Sequence, residues 1–292
     1  MDLNTFMVTI FCFIDDWLQD QALRARGSAP TLYDSEVLTL EVVGEFLGLD
    51  TDEALLAYFR QHWADWFPRL QQVHRTTFVR QAANLWQVKQ RLWRVLVAHI
   101  QYDAQIAMVD SFPMPVCRFA RASRCRLFRG QASYGYDELA KQTYYGFRAH
   151  VRICYPGVIV AAELTPANVH DVAALADLVG DSQGWLLGDR NYWSPKARTL
   201  LARQGLALLT PFKSKRREPQ PYPRWLTQLR RRIETVFSQL VGRFQAKTVW
   251  ARDVWHLTSR WWRKILSHTF ALWVGQQAGC ASPLQFAQLI TH

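Results

Sequence analysis

The first hundred residues carry apolar side chains at three- and four-residue spacing, which is the period of an amphipathic α-helix. The pattern is clearest in four segments: LNTFMVTIFCFIDDWL, SEVLTLEVVGEFLG, DEALLAYFRQHW and TTFVRQAANLWQVKQRLWRVLVAHI. Asp34 and Ser35 stand at the expected start of the second helix. Asp50, with Glu53 three residues later, resembles a capping box for the third helix. The spacing therefore predicts an all-helical domain over residues 1–101.

From Asp103 onward the pattern changes to short runs of β-type residues that alternate with helical stretches. The predicted strands are AQIAMVD, TYYGFRAHVRICY, VIVAAEL, GWLLGD and LALLTPF. The predicted helices are VHDVAALADLVG, SPKARTLLARQG and a long one from about Trp225 to Ala246. Three strands come early and a helix separates the last two, which indicates a mixed five-stranded sheet with flanking helices. We expect an α/β catalytic domain over residues 102–292, including C-terminal helices.

Composition favours a polyanionic partner. The chain has 292 residues, 49% of them hydrophobic, and its 35 Lys and Arg against 24 Asp and Glu give a formal net charge of +11. Charge alone does not choose between nucleic acid and an acidic membrane surface. The apolar runs FMVTIFCFI and ILSHTFALWVG are shorter than the roughly 18 residues that a membrane span needs. The five cysteines contain no C-x-x-C pair, which signals neither a disulfide framework nor a zinc site and favours a reducing cytoplasm.

Two of the predicted strands end in an aspartate. Asp110 follows AQIAMV, Asp189 follows GWLLG, and a turn is expected after each. Open α/β sheets place their sites at the carboxyl ends of strands, so the two carboxylates are candidate metal ligands. The alternative is that each is a turn or cap aspartate. A third oxygen ligand would complete a site for two Mg²⁺ ions that clamp a phosphodiester.

Glu234 is the candidate for this third ligand. It lies on the flank of an apolar helical stripe, with Arg230 four residues and Arg231 three residues before it. The stripe consists of Ile233, Val236, Phe237, Leu240 and Phe244. The alternative is a simple ion pair, although Glu placed before the base is the better order and an exposed pair contributes only about 0.3–0.5 kcal/mol. A carboxylate beside arginines suits a metal site whose arginines meet substrate phosphates.

Basic residues flank these carboxylates in the sequence. CRFARASRCRLFRG, soon after Asp110, contributes Arg118, Arg121, Arg124, Arg126 and Arg129, and FKSKRR contributes Lys213, Lys215, Arg216 and Arg217. We interpret both segments as a phosphate track, and the alternative is that they are solvated loops. His170 in TPANVHD is a further candidate, near the scissile phosphate; an N-cap at Asn168 or Asp171 is the alternative for this segment.

Several ordered motifs resemble a known family. VDSFPMPVC, YGYDELAKQTYYGFRAH, LTPANVHD, LLGDRNYW and RRIETVFSQL are similar to insertion-sequence transposases with an Asp-Asp-Glu triad, closest to the insertion-sequence family numbered 982. LYDSEVLTLEVVGEFLG resembles that family too, so the resemblance covers most of the chain. It implies a ribonuclease-H-like catalytic fold with Asp110 on the first strand, Asp189 after the fourth and Glu234 on the following helix. The triad is then expected to hold two Mg²⁺ or Mn²⁺ ions, to activate water for cutting at the element's ends, and to direct the freed 3′-hydroxyl at target DNA.

The chain departs from the family's pattern in two places. Relatives often have a glycine soon after the second aspartate, where this chain has Arg190 and Asn191. Of the Tyr-Arg-Glu-Lys pattern that is common in related transposases, Arg230 fits the Arg place, whereas Thr227 and Val241 occupy the Tyr and Lys places. Arg243 is the candidate substitute for that lysine. The candidate DNA contacts are therefore Arg124, Arg126, His170, Lys213, Lys215, Arg230, Arg231 and Arg243.

The leading hypothesis is a DNA transposase. The segment 1–101 is expected to bind DNA and a second protomer, on family analogy and because HRTTFVRQAANLWQVKQRLWR is a basic helix that suits a groove. The expected partners are double-stranded DNA, as terminal inverted repeats and target, and further copies of the chain in a homodimer or higher oligomer, without a membrane. Two alternatives stay open. One is a domesticated relative that only binds DNA as a repressor or architectural protein, which gains nothing from three carboxylates; the other is a metal-dependent nuclease of the same fold.

Overall fold

A computed structural model describes residues 1–21, 29–214, 222–280 and 282–290 of the chain. The chain divides into two compact units. The first unit comprises Met1–Ile100, Gly242–Ala246 and Trp250–His292, and the second comprises Gln101–Val241 and Lys247–Val249. The chain therefore leaves the first unit after Ile100 and returns to it near the C-terminal end of the sheet-containing unit.

Helices account for most of the described part of Met1–Ile100. They are α1 (Leu3–Gln19), α2 (Asp34–Phe46), α3 (Asp52–His62), α4 (Arg75–Asn84) and α5 (Trp86–Ala98). The predicted periodicity is confirmed in each, except that the fourth segment forms two helices that meet at Leu85. At α3 the predicted capping box is wrong, because the Thr51 hydroxyl rather than Asp50 accepts the N–H of Ala54, at 3.1 Å.

The second unit is built on one mixed sheet. Its strands are β1 (Asp103–Arg118), β2 (Ser133–Asp137), β3 (Gln142–Tyr155), β4 (Val158–Pro166), β5 (Gly184–Leu187) and β6 (Leu206–Leu209). β1 is central, with antiparallel β3 on one side and parallel β5 on the other, and β6 extends the sheet parallel to β5. β2 and β4 both pair antiparallel with β3. The sheet has six strands rather than the predicted five, because SYGYD pairs with the first half of β3.

Helices cover both faces of this sheet. They are α6 (Phe119–Ala122), α7 (Leu175–Val179), α8 (Pro195–Arg203) and α9 (Arg224–Ser238). α7 and α8 bury their apolar side chains against one face, in a cluster that includes Ala107 and Val109 of β1. α9 packs on the opposite face, where the rings of Phe237 and Phe112 lie 5.0 Å apart between centroids. The two faces follow from the alternation of side chains along β1.

Two helices of the second unit are shorter than predicted. α7 begins at Leu175 rather than near Val169, and α9 ends at Ser238 and continues only as a π-helical turn over Gln239–Arg243. Within α9, Ile233 and Val236 of the predicted apolar stripe are fully buried and Phe237 is half-buried; Leu240 and Phe244, which lie beyond the end of α9, are also fully buried. Burial of this stripe fixes the side of α9 from which its polar residues project.

The last helix, α10 (Val254–Gln277), belongs to the first unit and packs against α2 and α5. The sequence prediction placed the C-terminal helices in the same domain as the sheet, over residues 102–292, whereas α10 lies in the first unit. The reason is that α10 is buried over most of its length and finds equally buried partners in α2. Among the described residues, no helix has the length and apolarity that crossing a bilayer requires.

Charged side chains join α2, α5 and α10 inside the first unit. The carboxylate of Glu45 forms ion pairs with Arg263 at 2.6 Å and with Lys264 at 2.9 Å. The carboxylate of Glu41 lies 2.6 Å from the Nζ atom of Lys89. All five side chains are at least 95% buried. Such charges tolerate burial only when they are paired, so these contacts specify which helices pack together.

Candidate active site

Asp110 lies inside β1 and not at the end of a strand as predicted. β1 pairs with β5 only as far as Met108, which lies opposite Leu187, while its pairing with β3 continues to Arg118. Asp110 is therefore placed just beyond the point where its parallel neighbour stops. Alternation along the strand puts Asp110 on the same face as Phe112, which is the face covered by α9.

Asp189 comes two residues after the end of β5. Its Oδ1 atom accepts the N–H of Asn191 at 2.9 Å and so begins a 3₁₀ turn over Arg190–Tyr192. Because β5 runs parallel beside β1, both aspartates follow the paired segment at the same end of the sheet. The structure thus brings Asp110 and Asp189 together, as the sequence predicted.

Arg230 and Glu234 lie one turn apart on α9. The Nη1 atom of Arg230 is 3.4 Å from Oδ2 of Asp110, and its Nη2 atom is 3.4 Å from Oε1 of Glu234. One guanidinium therefore joins a carboxylate from β1 to a carboxylate from α9. The Glu234 side chain is 58% exposed and that of Asp110 only 22%, so Glu234 is the less constrained of the two.

Burial makes the charge of these aspartates costly. Burial, and then the neighbouring charge of Asp189, raises the pKa of Asp110 from 3.8 to about 7. The N–H of Ser111, which donates to Oδ1 of Asp110 at 2.8 Å, and the charge of Arg230 oppose this rise. Burial likewise raises the pKa of Asp189 above its ordinary value. Both carboxyl groups are therefore harder to ionise in the folded protein than in water.

The donor chemistry of this site fits a divalent ion such as Mg²⁺ or Mn²⁺, which prefers carboxylate oxygens. The hydroxyl of Tyr192 lies near these carboxylates, is fully buried and has no hydrogen-bond partner among the described residues; burial and then the charges of Asp171, Asp110 and Asp189 raise its pKa. In the part of the chain that the structure describes, however, no three His, Cys, Asp or Glu side chains are already close enough to hold one ion. Arg230 lies between two of the candidate ligands.

Asp171 is a further aspartate of this site, and the sequence left its role open. Its side chain is only 6% exposed, accepts the hydroxyl of Ser111 at 2.7 Å and pairs with Nη1 of Arg148 at 3.3 Å. The carboxylate thus contacts side chains of β1 and β3 rather than capping a helix, and α7 begins only at Leu175. His150 lies 3.6 Å away through its Nδ1 atom, and burial lowers the pKa of His150 to about 4, so its ring is neutral at pH 7.

The sequence did carry a signal for this cluster. Arg148 and His150 stand two residues apart in the predicted strand TYYGFRAHVRICY, so they project from the same face, with Arg152 two residues further on. A polar pair at such positions needs a buried partner. Nothing in the local pattern identifies that partner as Asp171.

A groove of about 770 Å³ opens beside Asp171. Two of the predicted DNA contacts, His170 and Lys213, line this groove together with Arg190 from the turn after Asp189. The aromatic side chains of Tyr134, Tyr136 and Trp193 line it as well. Basic groups for phosphates and aromatic faces for bases are the combination that single nucleic-acid strands require.

The other predicted DNA contacts lie outside this groove. Arg231 is exposed on α9, and Arg124 and Arg126 are exposed in the segment between β1 and β2. β1 alone carries the chain from Asp110 to Arg118, roughly 26 Å at ~3.3 Å per residue, before that segment begins. Arg124 and Arg126 are thus candidates for contacts far along a duplex, whereas Arg231 lies on the same helix as Glu234.

Arg243 has a different environment from the one expected for a substitute lysine. It belongs to the first unit, where its Nε atom donates to the carbonyl of Phe46 at 3.1 Å. Its guanidinium lies 4.1 Å from the centroid of the Phe46 ring. The side chain therefore has a packing role, and its contact with DNA stays a prediction. Lys215 lies outside the described residues.

Comparison with models of known protein families identifies the family of this chain. Residues 101–250, slightly more than half of the chain, match the family model described as Transposase DDE domain, and the chain belongs to this family. The matched range contains Asp110, Asp189 and Glu234. No curated protein and no solved structure matches the chain.

Proposed function

We propose that this protein is a DNA transposase of the insertion-sequence type, of the family numbered 982, with Asp110, Asp189 and Glu234 as its metal-binding catalytic triad. Membership of the Transposase DDE domain family supports the class of enzyme. The observation that carries the residue assignment is the guanidinium of Arg230, 3.4 Å from both Asp110 and Glu234. Carboxylates from a strand and from a distant helix are thereby within reach of one cation, beside Asp189.

The order of the strands supports a ribonuclease-H-like fold for the sheet-containing unit. The antiparallel strands β1, β3 and β4 come first, β5 and β6 then add in parallel on the other side of β1, and α9 follows. In this order the first carboxylate lies on the first strand and the second lies after its parallel neighbour. The third lies on the helix beyond the sheet, as the sequence resemblance implied. β2 is an addition along the edge of β3.

Two bound Mg²⁺ or Mn²⁺ ions would activate water or a 3′-hydroxyl and stabilise the leaving oxygen. Asp110 and Asp189 would hold them from the end of the sheet and Glu234 from α9. The N–H of Ser111 fixes one oxygen of Asp110, at 2.8 Å, which leaves Oδ2 directed toward α9. The groove beside Asp171 would bind the DNA strand next to the cut, with Lys213, Arg190 and His170 at phosphates and Trp193 against a base.

For the first unit we propose binding to the terminal inverted repeats and to further copies of the chain. The predicted basic helix is in fact two helices, and the exposed residues Arg80, Asn84, Gln87, Arg91 and Arg94 recur along them at three- and four-residue spacing. Arginine, asparagine and glutamine are the side chains that contact phosphates and base edges of DNA. Target DNA would be the second DNA partner, in the cytoplasm at the nucleoid.

The test uses purified protein and a labelled duplex that carries the DNA flanking the gene, with Mg²⁺, Mn²⁺ or EDTA. We expect metal-dependent cuts at fixed positions and, with added target DNA, joined products. Glu234→Gln should still bind the duplex and cut roughly 100- to 1000-fold more slowly, since one missing ligand disables the site. Gln228→Ala, at another exposed position of α9, is the control and should cut normally.

Each contrary outcome has a defined meaning. Binding without cuts under either metal would refute the transposase and favour a relative that only binds DNA. Cuts without joined products would favour a nuclease of the same fold. Metal-dependent cutting by Glu234→Gln at the normal rate would remove Glu234 from the triad.

A further inference from the structure

Arg230 contacts two proposed metal ligands at the same time. Its two terminal nitrogens lie 3.4 Å from Oδ2 of Asp110 and 3.4 Å from Oε1 of Glu234. Charge-assisted hydrogen bonds between guanidinium and carboxylate are normally about 2.7–2.9 Å long. Arg230 is therefore in ionic contact with both carboxylates without a tight bond to either. The arrangement counters the repulsion between them while leaving both oxygens available to a stronger partner.

Arg230 and a divalent ion compete for these same two oxygens. Mg²⁺ binds carboxylate oxygen at about 2.0–2.1 Å and demands near-octahedral geometry around itself. A guanidinium held against the same oxygens would occupy ligand positions and would repel the ion by its own charge. Arg230 in this position therefore opposes binding of the ion at Asp110 and Glu234, and departure of its side chain favours it.

The surroundings allow this movement of one side chain. Ile233 and Val236 are fully buried and hold α9 on the sheet, so the backbone at Arg230 is fixed. The Arg230 side chain is 21% exposed and reaches the carboxylates through a long flexible stem. Arg231, its neighbour in sequence, is exposed and offers a matched residue without these contacts.

We propose that Arg230 is an exchange residue: it holds Asp110 and Glu234 in place, gives up both carboxylates to a divalent ion, and then pairs with a phosphate of the bound DNA. This inference rests on the proposed function, because it takes the same carboxylates as metal ligands. It adds a regulatory consequence. DNA offers the displaced guanidinium a new anionic partner, so DNA binding promotes metal binding, and by linkage metal binding promotes DNA binding.

The decisive experiment measures Mn²⁺ affinity of the full-length protein without DNA, by electron paramagnetic resonance of the free ion. Removing a competing cation should tighten metal binding, so Arg230→Ala and the shape-conserving Arg230→Gln should each lower the Kd for Mn²⁺ by roughly three- to tenfold, as expected for two partly exposed ion pairs. Arg231→Ala should leave this Kd unchanged. In EDTA, both Arg230 variants should bind duplex DNA no more weakly than Arg231→Ala, since Arg230 is then still engaged by the carboxylates.

A second comparison tests the linkage. Adding metal should strengthen DNA binding less in Arg230→Gln than in the wild type and in Arg231→Ala, when Ca²⁺ replaces Mg²⁺ to prevent cutting. Circular dichroism of each variant establishes that it is folded. Weaker or unchanged Mn²⁺ binding by both Arg230 variants would overturn the exchange and make Arg230 a simple support of the carboxylates.

The failure of the proposed function has a separate signature. Asp110→Asn should lose most Mn²⁺ binding if Asp110 is a ligand. If Asp110→Asn binds Mn²⁺ as well as the wild type does, the metal site itself is misplaced and both proposals fall. If Asp110→Asn loses the metal while Arg230→Gln fails to gain affinity, the proposed metal site stands and only the exchange is refuted.

Discussion

Asp110 shows at the scale of a single residue how the fold tunes the site. Burial and the charge of Asp189 raise its pKa from 3.8 to about 7. In the unfolded chain an aspartate titrates at about 3.9. The native state therefore binds a proton more tightly than the unfolded state, and the stability of the fold declines as pH rises from about 4 to about 7.

This loss of stability with rising pH is absent when the side chain at position 110 cannot ionise. Asp110→Asn should therefore raise the free energy of unfolding at pH 8, by on the order of 1–2 kcal/mol after allowance for the lost contact with Arg230. The gain should shrink toward zero near pH 4. Urea titrations at pH 4, 6 and 8 measure it, with Asp181→Asn, at an exposed aspartate of the same unit, as the control. An equal gain at all three pH values would show that ionisation is not its cause.

The positions of the carboxylates show how far a sequence can define a site. The sequence predicts Asp110 and Asp189 as ligands because each follows an apolar strand, and that signal is local. It predicts Glu234 because this residue flanks a helical stripe beside two arginines. The role of Asp171 was not found, because Ser111 and Arg148, its partners, lie 60 and 23 residues away in sequence. Periodicity shows which side chains are buried away from water, but only the folded sheet shows which residues they contact.

The same distinction holds for whole elements. Helix and strand types followed from the spacing of apolar residues, but several boundaries did not. β1 continues past Asp110 to Arg118 because β3 is long enough to pair with it, and no local feature of SFPMPVCR predicts that partner. The sequence does not predict β2, because its five residues gain their regularity from pairing with β3. α10 joins the first unit because its buried cations meet Glu45 of α2, more than 200 residues earlier.

Asp171 connects three elements, and its loss tests that connection. It ties the segment before α7 to Ser111 of β1 and Arg148 of β3. Asp171→Ala would leave the largely buried guanidinium of Arg148 without its carboxylate, so we expect the free energy of unfolding to fall by about 2–4 kcal/mol. Urea unfolding monitored by tryptophan fluorescence measures the change.

His170→Ala is the matched control for this prediction, because His170 is the preceding residue and is exposed in the groove. It should cost less than about 0.5 kcal/mol, as surface substitutions usually do. If the two variants lose the same small amount, the aspartate is no more than a turn residue. The N-cap interpretation of Asp171 would then be preferred.

At the scale of the whole molecule, the charge of +11 matters through its placement. Exposed arginines follow β1 beyond Asp110, and basic groups also line the groove beside Asp171. The basic groups of the groove would hold DNA next to the proposed cut. The arginines after β1 would hold the same DNA further away from it. Contacts of this kind position a duplex and carry little sequence information.

The salt dependence of DNA binding tests whether the distant arginines take part. Each phosphate contact that is lost changes the slope of log K against log salt by about 0.9. Arg124→Ala combined with Arg126→Ala should therefore weaken binding to any duplex at low salt and flatten the slope by roughly one to two units. Lys196→Ala with Arg203→Ala, which removes two exposed cations from α8 on the face opposite α9, should leave the slope unchanged. Fluorescence anisotropy over a range of KCl concentrations provides both slopes, and equal slopes for the two double variants would exclude Arg124 and Arg126 from the DNA path.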